Sequence, residues 1–301
     1  MSLFAKSHFR YNTPKSGVLM FSVRFWGVRG SMPCPGPETV AYGGNTSCLE
    51  IRAGKRLLIV DLGTGIRPLG DRLMSKDYWD GPVEADIFVT HTHWDHIMGF
   101  PMFTPIFSKD TKLFVRGPVS SDEDDLGSII DAHFSHRYWP VKQSELAATI
   151  EFDEIKAGEI DLGDGILIKS EYLNHPLPCL GFRFEFEGKS VVTIFDHEPY
   201  PDEKENEKVL KFIENADVLI HDSQYTAEEF KNRAGWGHSS FEWVFESAVK
   251  AKIKNLIFFH HDPNRSDRQL KKLEKQFRCR AAKTKTGIKT AVAWEGLVLD
   301  I

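Results

Sequence analysis

Four potential metal ligands lie within six residues of this sequence, in the segment His91-Thr-His93-Trp-Asp95-His96. An apolar run from Asp86 to Thr90 precedes them and a helical pattern follows, which places them in the turn between a strand and a helix. Imidazole nitrogen and carboxylate oxygen are ligands that zinc, manganese and iron accept. Capping of the helix by Asp95 would not need three histidines. The segment therefore predicts a transition-metal site, with the first two histidines on one metal and the last two residues directed towards a second.

Two metals need more ligands than this turn supplies, and candidates appear later in the chain at the carboxyl ends of predicted strands. They are His175, Asp196 and the adjacent pair His260 and His261. Any one of them alone is more often a capping or core residue. Together, and all at strand ends, they predict the remaining ligands of a two-metal site.

These candidates need a scaffold that brings them together, and the pattern of apolar residues predicts one. Runs rich in β-branched and aromatic residues predict strands at 21–27, 48–51, 57–61, 86–90, 112–115, 166–172, 180–186, 190–195, 218–220, 256–259 and 290–294. Helical spacing predicts helices at 66–73, 95–103, 121–132, 203–213, 241–251 and 266–277. Hairpins mixed with isolated helices indicate an α/β protein of the α+β kind, with two packed mixed sheets and outer helices. We expect one αββα domain at 21–301, each half contributing a sheet, after an N-terminal extension at 1–20.

Composition places the chain among globular proteins. Of its 301 residues, 41% are hydrophobic and 27% are charged, which is not a composition typical of disorder. The longest apolar run near the start, 18–21, is too short for a signal peptide or a membrane span, so we expect a cytoplasmic protein without a membrane partner. The four cysteines form no CxxC pair, which argues against a disulfide framework and a thiolate zinc site.

Charge gives the chain no general attraction for nucleic acid, since its net charge is −5. One segment departs from this average. Residues 268–289 contain nine basic residues and one acidic residue, Glu274, above an apolar stripe at helical spacing. A solvated helix face explains this pattern, and contact with a polyanion such as RNA is the alternative.

The histidine and aspartate pattern resembles the HxHxDH signature of the metallo-β-lactamase superfamily, and the later ligands follow in that family's order over nearly the whole chain. The resemblance implies the family's four-layer αββα fold and a dinuclear centre of zinc, manganese or iron. It implies that His91, His93 and His175 hold one metal, that Asp95, His96 and His260 hold the other, and that Asp196 bridges them. His260 is preferred to His261 because the family's ligand directly follows the hydrophobic strand. Asp95 is also counted among the catalytic residues.

Asp61 closes a predicted strand and begins the sequence Asp61-Leu-Gly-Thr-Gly65, which looks like the family's aspartate-glycine turn behind the metal-binding histidines. The resemblance implies that its carboxylate accepts the second N–H of a ligand histidine and so fixes the tautomer of the ring. An Asx turn before two glycines is the alternative.

Two further motifs are similar to those of ribonuclease Z and related cyclic phosphodiesterases. They are His221-Asp222-Ser223 and Gly237-His238-Ser239-Ser240. By this resemblance His238 is a general acid that protonates the leaving group, and Asp222 orients it. The alternative for His238 is a place beside the N-cap of the following helix.

Two glycine-rich loops, 25–31 and 42–47, resemble a bacterial group of phosphodiesterase-like hydrolases in the same superfamily. Their small residues would let the backbone approach a phosphate closely. The candidate donors of hydrogen bonds to that phosphate are Arg29, Ser31, Asn45 and Thr46. Tight turns at sheet corners would give the same sequence.

The segment 117–148 separates the first ligand turn from His175 and is expected to form a helical cover over the site. In it, Phe134, Tyr138 and Trp139 are candidates for stacking on a nucleobase, and Arg137 is a candidate for offsetting phosphate charge. The alternative is that these residues are the apolar underside of a packed insertion.

Together these resemblances imply a dinuclear-metal phosphodiesterase. Two metals can share a water, lower its pKa and hold the hydroxide in line with phosphorus, while His238 protonates the departing oxygen. The expected substrate is a small nucleotide phosphodiester, above all a cyclic nucleotide, because the long tRNA-binding arm expected of ribonuclease Z has no obvious counterpart here. RNA processing of the ribonuclease Z type is the first alternative, followed by thioester, lactone or β-lactam hydrolysis, a diiron redox protein and a silent metal-binding scaffold. The oligomeric state stays open, with a homodimer as the commonest soluble form.

Overall fold

The computed structural model describes residues 21–119 and 124–301. The predicted N-terminal extension at 1–20 lies outside the described residues, as do the first residues of the helix predicted at 121–132. Seven strands form the first sheet: β1 (Phe21–Gly27), β2 (Cys48–Ala53), β3 (Arg56–Val60), β4 (Glu84–Phe88), β5 (Lys112–Pro118), β6 (Thr149–Ile155) and β14 (Val298–Asp300). Their spatial order is β14-β1-β2-β3-β4-β5-β6, antiparallel from β14 to β3 and parallel from β3 to β6.

Seven strands also form the second sheet. They are β7 (Gly158–Gly163), β8 (Ile166–Tyr172), β9 (Leu180–Phe186), β10 (Lys189–Ile194), β11 (Val218–Asp222), β12 (Asn255–Phe259) and β13 (Lys289–Val292). Their spatial order is β13-β12-β11-β10-β9-β8-β7, parallel from β13 to β10 and antiparallel from β10 to β7. Both sheets are therefore mixed, and the parallel strands of each end at a common edge.

Within residues 21–119 and 124–301, seven α-helices connect these strands. They are α1 (Ile66–Leu73), α2 (Trp94–Ile97), α3 (Leu126–Ala132), α4 (Glu203–Ile213), α5 (Ala227–Phe230), α6 (Phe241–Lys250) and α7 (Asp267–Lys283). Polar residues fix several of their starts. The side chain of Ser240 accepts from the backbone of α6, and Ser266 forms a reciprocal capping box with Gln269 at the start of α7.

Three buried apolar clusters make the layers. The central one lies between the two sheets and includes Phe25, Phe195 and Phe259, with the last two rings stacked at 4.4 Å. A second cluster joins the outer face of the second sheet to α6 and α7, and a third joins the outer face of the first sheet to α1 and α3. This is the predicted four-layer αββα fold, with two mixed sheets inside and helices outside.

Three strands were not predicted, and each has a weak pattern. The strands β6 and β7 have the sequences TIEFDEI and GEIDLG, whose residues are all half-buried or exposed. The third, β14, has only three residues and returns from the end of the chain to pair with β1 in the first sheet. The expectation that each half of the chain builds its own sheet is therefore wrong for β14.

The helix predicted at 95–103 is broken. It ends at Ile97 as α2, and two short 3-10 helices follow at Phe100–Met102 and Thr104–Phe107, each with a proline in its first turn. Among the described residues, no helix is both long and apolar enough to cross a bilayer.

Candidate metal centre

The candidate ligands follow the ends of strands from both sheets. His91 comes shortly after β4, Asp196 after β10 and His260 directly after β12, while His175 follows β8. Asp196 and His260 have left-handed backbone conformations, with φ of 54° and 57°. Such values are costly for residues other than glycine, and they persist where the surrounding structure holds them. The chain turns sharply at these points and brings the side chains together at one edge of the two sheets.

The first cluster contains three histidines and one aspartate. In it, His93 Nδ1 lies 3.0 Å from both His91 Nε2 and His175 Nε2. Asp196 Oδ2 lies 3.5 Å from His91 Nε2. His93 and His175 are half-buried, whereas the other two residues are buried. The cluster therefore opens to solvent on the side of His93 and His175.

The second cluster is entirely buried and shares Asp196 with the first. His96 Nε2 lies 3.2 Å from His260 Nε2, and Asp95 Oδ2 lies 3.1 Å from the same His260 nitrogen. Asp196 Oδ1 lies 3.0 Å from His260 Nε2, while Asp196 Oδ2 faces His96 Nε2 at 3.4 Å. Asp196 thus stands between the two groups.

The donor set fits a pair of metal ions. His93 Nδ1 can take part in only one in-plane hydrogen bond, yet His91 Nε2 and His175 Nε2 approach it equally closely. Ligand nitrogens of a tetrahedral zinc site, with bonds of about 2.0–2.1 Å, lie about 3.3 Å apart, close to the spacings in both clusters. Asp196 Oδ1 is buried and has no well-aligned hydrogen-bond donor among the described residues, although His260 Nε2 lies 3.0 Å away. The clusters are therefore compatible with a dinuclear metal site, and they leave the identity of the metal open.

Electrostatics keep His91, His175 and Asp196 in the protonation states that metals bind. Burial lowers the pKa of His91 well below its usual value and that of His175 to about 4, so both rings are neutral near pH 7. Burial alone would raise the pKa of Asp196, but His260 and His96 hold that pKa well below the usual range. The neutral rings of His91 and His175 can each offer a nitrogen to a cation, and the ionised carboxylate of Asp196 lies between the two clusters.

Asp61 lies behind the second cluster. Its Oδ2 is 2.6 Å from His96 Nδ1, and its carboxylate also accepts from the backbone N–H of Thr90 and the hydroxyl of Ser47. The contact with His96 leaves Nε2 of that ring directed to the cluster. The structure thus gives Asp61 the place that the resemblance implied.

His238 and Asp222 form a pair beside the second cluster. His238 Nδ1 lies 3.1 Å from Asp222 Oδ2 and 4.0 Å from Asp196 Oδ2, and the ring stacks on His260 with centroids 5.2 Å apart. Burial lowers the pKa of His238, but the carboxylates of Asp222 and Asp196 outweigh that effect and raise it to about 9. His238 therefore has the position and the protonation state of a proton donor.

Of the two adjacent histidines after β12, the structure brings His260 into the cluster. His261 is buried elsewhere, with Nε2 2.9 Å from the carbonyl oxygen of Ala293, and its backbone N–H donates to Val28. The preference for His260 agrees with this placement.

Three of the four candidate phosphate donors are structural residues. The buried guanidinium of Arg29 donates to the carbonyl oxygens of Gly43 and Arg265. The Asn45 side chain donates to Glu295, and the buried Thr46 hydroxyl accepts from the backbone of Thr64. Their polar groups are engaged in holding loops together, so the prediction that Arg29, Asn45 and Thr46 bind phosphate is wrong. These contacts agree with the alternative, in which the two loops are structural.

Ser31 differs from those three residues because it is exposed and lies against the second cluster. It has a φ of 62°, and its backbone N–H donates to Asp95 Oδ2 at 2.7 Å. Ser31 therefore contacts a candidate ligand directly, and its role towards substrate stays a prediction.

The predicted cover is packed more deeply than expected. Phe134 is buried in the third apolar cluster, with its ring 6.0 Å from that of Phe100, and Trp139 packs against the same cluster. Phe134 is not available to stack on a base, and this part of the prediction is wrong. Arg137 and Tyr138 are exposed, and the structure records no contact of either with the metal clusters among the described residues. The boundaries of the cover, which include residues 120–123 outside the described residues, stay a prediction.

Two site residues carried no motif in the sequence. Gln224 Oε1 lies 3.0 Å from His260 Nδ1 and so orients the ring towards the cluster. Glu198 accepts from the backbone N–H groups of Gly235 and Gly237, on either side of Trp236. Gln224 lies two residues after Asp222, and Glu198 lies two residues after Asp196. This closeness in sequence to a predicted site residue is the one signal that could have identified them.

Comparison with known proteins supports the same family. The beta-lactamase superfamily domain matches residues 58–261, which is more than half of the chain. Ribonuclease Z of Picrophilus torridus is 24% identical over 297 residues, covering 83% of this chain and 88% of that protein. Ribonuclease Z of Streptococcus pneumoniae is 26% identical over 248 residues, covering 64% of this chain and 75% of the relative.

Solved structures of low sequence identity share the fold. The metallo-β-lactamase fold protein YhfI from Bacillus subtilis has a TM-score of 0.67 at 18% identity, covering 94% of this chain and 100% of its own. Human tRNase Z, short form, has a TM-score of 0.66 at 18% identity, with coverages of 92% and 98%. A diphosphatase of the PhnP family has a TM-score of 0.66 at 17% identity, with coverages of 93% and 98%. With the domain match over residues 58–261 and the αββα architecture, this chain belongs to the beta-lactamase superfamily and has the metallo-β-lactamase fold.

Proposed function

We propose that this protein hydrolyses a small nucleotide phosphodiester, with a cyclic nucleotide as the favoured substrate. The family and the two clusters support a metal-dependent hydrolase. The observation that carries the finer proposal is the His238–Asp222 pair, at 3.1 Å, next to the cluster of His260 and Asp196. A phosphodiester has a poor alkoxide leaving group, so a proton donor placed beside the metals is of direct use to this reaction.

The residues of the chain have distinct tasks in this proposal. The two clusters would hold divalent metal ions, which would supply an activated water and neutralise charge on the phosphoryl oxygens. Asp95 accepts from the backbone N–H of Ser31, and its Oδ2 lies 3.1 Å from His260 Nε2, so it links the second cluster to the first loop. The opening beside His93 and His175 admits the substrate, since these are the half-buried members of the clusters.

His238 acts as the acid and Asp222 as its positioning partner. The three residues Asp222, His238 and His260 are also close enough to one another to hold an ion. However, Asp222 already accepts from the backbone N–H groups of Gln224 and Ser239 in addition to His238. Its oxygens are satisfied within the protein, which favours a role in orienting His238 over a role as a ligand.

The test is turnover by protein reconstituted with zinc, manganese or iron. The panel contains 3′,5′-cyclic and 2′,3′-cyclic nucleotides, a precursor tRNA, a lactone and a β-lactam. We expect cyclic nucleotide hydrolysis that falls about 10²- to 10⁴-fold in His238→Ala. The matched control is His136→Ala, because His136 is exposed and distant in sequence from both clusters. Turnover of the lactone or the lactam alone, unaffected by His238→Ala, would overturn the phosphodiesterase proposal.

RNA processing is the second candidate function, and α7 favours it. Of the nine basic residues at 268–289, only Arg278 and Arg280 have a carboxylate within 4.0 Å in the described part of the chain. The exposed ones without such a partner are Arg268, Lys271, Lys272, Lys275, Lys283, Lys285 and Lys289. The relatives named ribonuclease Z give this surface a reason to contact RNA.

A salt series separates the two candidates. The affinity for an RNA substrate bound along α7 would fall steeply as the salt concentration rises. The slope of log affinity against log salt concentration would decrease by about one for each phosphate contact removed. Lys271→Gln with Lys275→Gln would then weaken precursor tRNA binding and leave cyclic nucleotide turnover unchanged. Equal binding by the parent and this variant would remove the support that α7 gives to RNA. The cytoplasmic location and the homodimer stay predictions.

A further inference from the structure

Two tryptophans project from the rim of the metal centre into solvent. The Trp94 and Trp236 side chains are 71% and 62% exposed, whereas the other five tryptophans are half-buried. Indole is the largest apolar side chain, and leaving it in water forgoes the free energy that its burial would give. The structure records no ring contact, hydrogen bond or cation–π contact for either indole among the described residues. Packing of the fold therefore does not explain why either indole is present at these positions.

Both tryptophans lie next to the open side of the first cluster. Trp94 is bonded directly to His93, and His93 Nδ1 lies 3.0 Å from His175 Nε2. Trp236 precedes Gly237, whose carbonyl oxygen lies 3.2 Å from His175 Nδ1. His93 and His175 are the half-buried members of their cluster. Each tryptophan is thus attached to one of the two elements that border the opening.

The backbone beneath each indole is held firmly. Glu198 accepts from the N–H groups of Gly235 and Gly237, at 2.8 and 2.9 Å, and so clamps the chain on both sides of Trp236. Trp94 is the first residue of α2, and its carbonyl oxygen accepts from Met98 at 2.7 Å. An exposed aromatic ring on a fixed backbone is suited to binding, because little conformational entropy is lost when a ligand covers it.

We propose that Trp94 and Trp236 form a binding site for the planar base of the substrate, so that they select nucleotide phosphodiesters over esters without an aromatic group. This inference rests on the proposed function. The indoles supply neither a metal ligand nor a proton, and what they offer to a ligand is stacking on a flat face. A nucleoside phosphodiester presents such a face close to the phosphate that the metal centre binds, and stacking tolerates any base.

A pair of substrates that differ only in the base provides the test. These are adenosine 3′,5′-cyclic monophosphate and the same cyclic phosphate with a methoxy group in place of adenine. For the adenine substrate, we expect Trp94→Ala and Trp236→Ala each to lower kcat/KM about 5- to 150-fold, mainly through KM. The base-free substrate should be unaffected, and Trp→Phe should restore most of the loss. The control is Phe107→Ala, since Phe107 is also exposed but is the last residue of the second 3-10 helix and is not adjacent in sequence to any cluster residue.

A binding measurement keeps this inference separate from the proposed function. Adenosine 5′-monophosphate should quench the tryptophan fluorescence of the zinc-loaded protein, and the double variant Trp94→Phe, Trp236→Phe should lose that quenching. If the protein hydrolyses no phosphodiester while adenosine 5′-monophosphate quenches the parent and not the double variant, that result supports the base-binding site and contradicts the proposed reaction. Equal losses on both substrates, no loss on either, or quenching that persists in the double variant would each overturn the inference.

Discussion

His96 Nδ1 lies 2.6 Å from Asp61 Oδ2, and both residues are fully buried. Asp61 has a φ of 63°, so the chain makes a sharp turn at the end of β3 to present this carboxylate to the ring. The carboxylate also accepts from Thr90 and Ser47, which fixes its orientation. The contact therefore sets which nitrogen of His96 faces the metal cluster, without Asp61 itself entering that cluster.

The first prediction concerns this contact. Asp61→Asn keeps the size of the side chain but removes the charge that selects the His96 tautomer, so we expect metal affinity to fall about 10- to 100-fold. Competition with a chromogenic chelator measures it. Asp164→Asn is the matched control, because Asp164 also has a positive φ but lies exposed in the turn between β7 and β8. An unchanged affinity in Asp61→Asn would contradict the role assigned to the contact.

Much of this site could be predicted because its signal is local. His91, His93, Asp95 and His96 lie in one turn, and the later candidates stand directly after apolar strands. Arg29 shows where such reasoning stops. Its guanidinium donates to Arg265, which lies 236 residues away, and no local pattern reveals a buried network closed over that distance. The prediction that Phe134 stacks on a base was wrong for a similar reason, since the ring that Phe134 packs against, that of Phe100, belongs to another element.

The fold shows the same division between local and distant information. Strands with strong alternation or continuous apolar runs, such as β8 and β9, have the predicted bounds. By contrast, β14 is defined by its pairing with β1 at the other end of the chain, and three residues carry too little pattern to predict it. The left-handed conformations of Asp196 and His260 are likewise imposed by tertiary contacts and not by their residue types.

The second prediction concerns the close approach of Gly30 to His260. A Cβ on Gly30 would overlap the His260 ring and lie 2.8 Å from Gln224 Oε1, which orients that ring. We expect Gly30→Ala to push His260 out of the second cluster, so that the protein binds one metal equivalent instead of two. Metal content after dialysis measures this. Gly158→Ala is the control because its Cβ would meet nothing closer than 4.0 Å, and two equivalents retained by Gly30→Ala would refute the prediction.

The third prediction concerns stability without metal. The clusters gather two carboxylates and five histidines from separate parts of the chain, and only the folded chain holds them close enough to share a cation. Ions that bind the folded state alone stabilise it by about 2.7 kcal/mol when present at about 100 times Kd. We therefore expect a chelator to lower Tm by several degrees, and zinc to restore it. A Tm that does not depend on added metal would argue against a metal-binding folded state.

The last prediction concerns pH and the Glu229–Arg265 ion pair, at 2.6 Å, which ties α5 to the loop before α7. Burial alone would raise the pKa of Glu229, but hydrogen bonds from Arg265 and Thr226 lower it from 4.5 to about 2. Because the folded-state pKa is depressed, the pair stabilises the protein fully above about pH 4.5, and this stabilisation is lost as pH falls towards 2.

Glu229→Gln should therefore destabilise the metal-free protein by about 1 kcal/mol at pH 7, a modest value because the carboxylate is about one third exposed. The difference between the parent and Glu229→Gln should shrink as pH falls below 4.5. Urea unfolding at pH 7 and pH 3.5 measures both differences. Glu228→Gln serves as the control, since Glu228 is the exposed neighbour of Glu229 and pairs with Lys231 on the surface. A gap between the parent and Glu229→Gln that is the same at both pH values would show that Glu229 stabilises the fold by packing or neutral hydrogen bonds, and not through its charge.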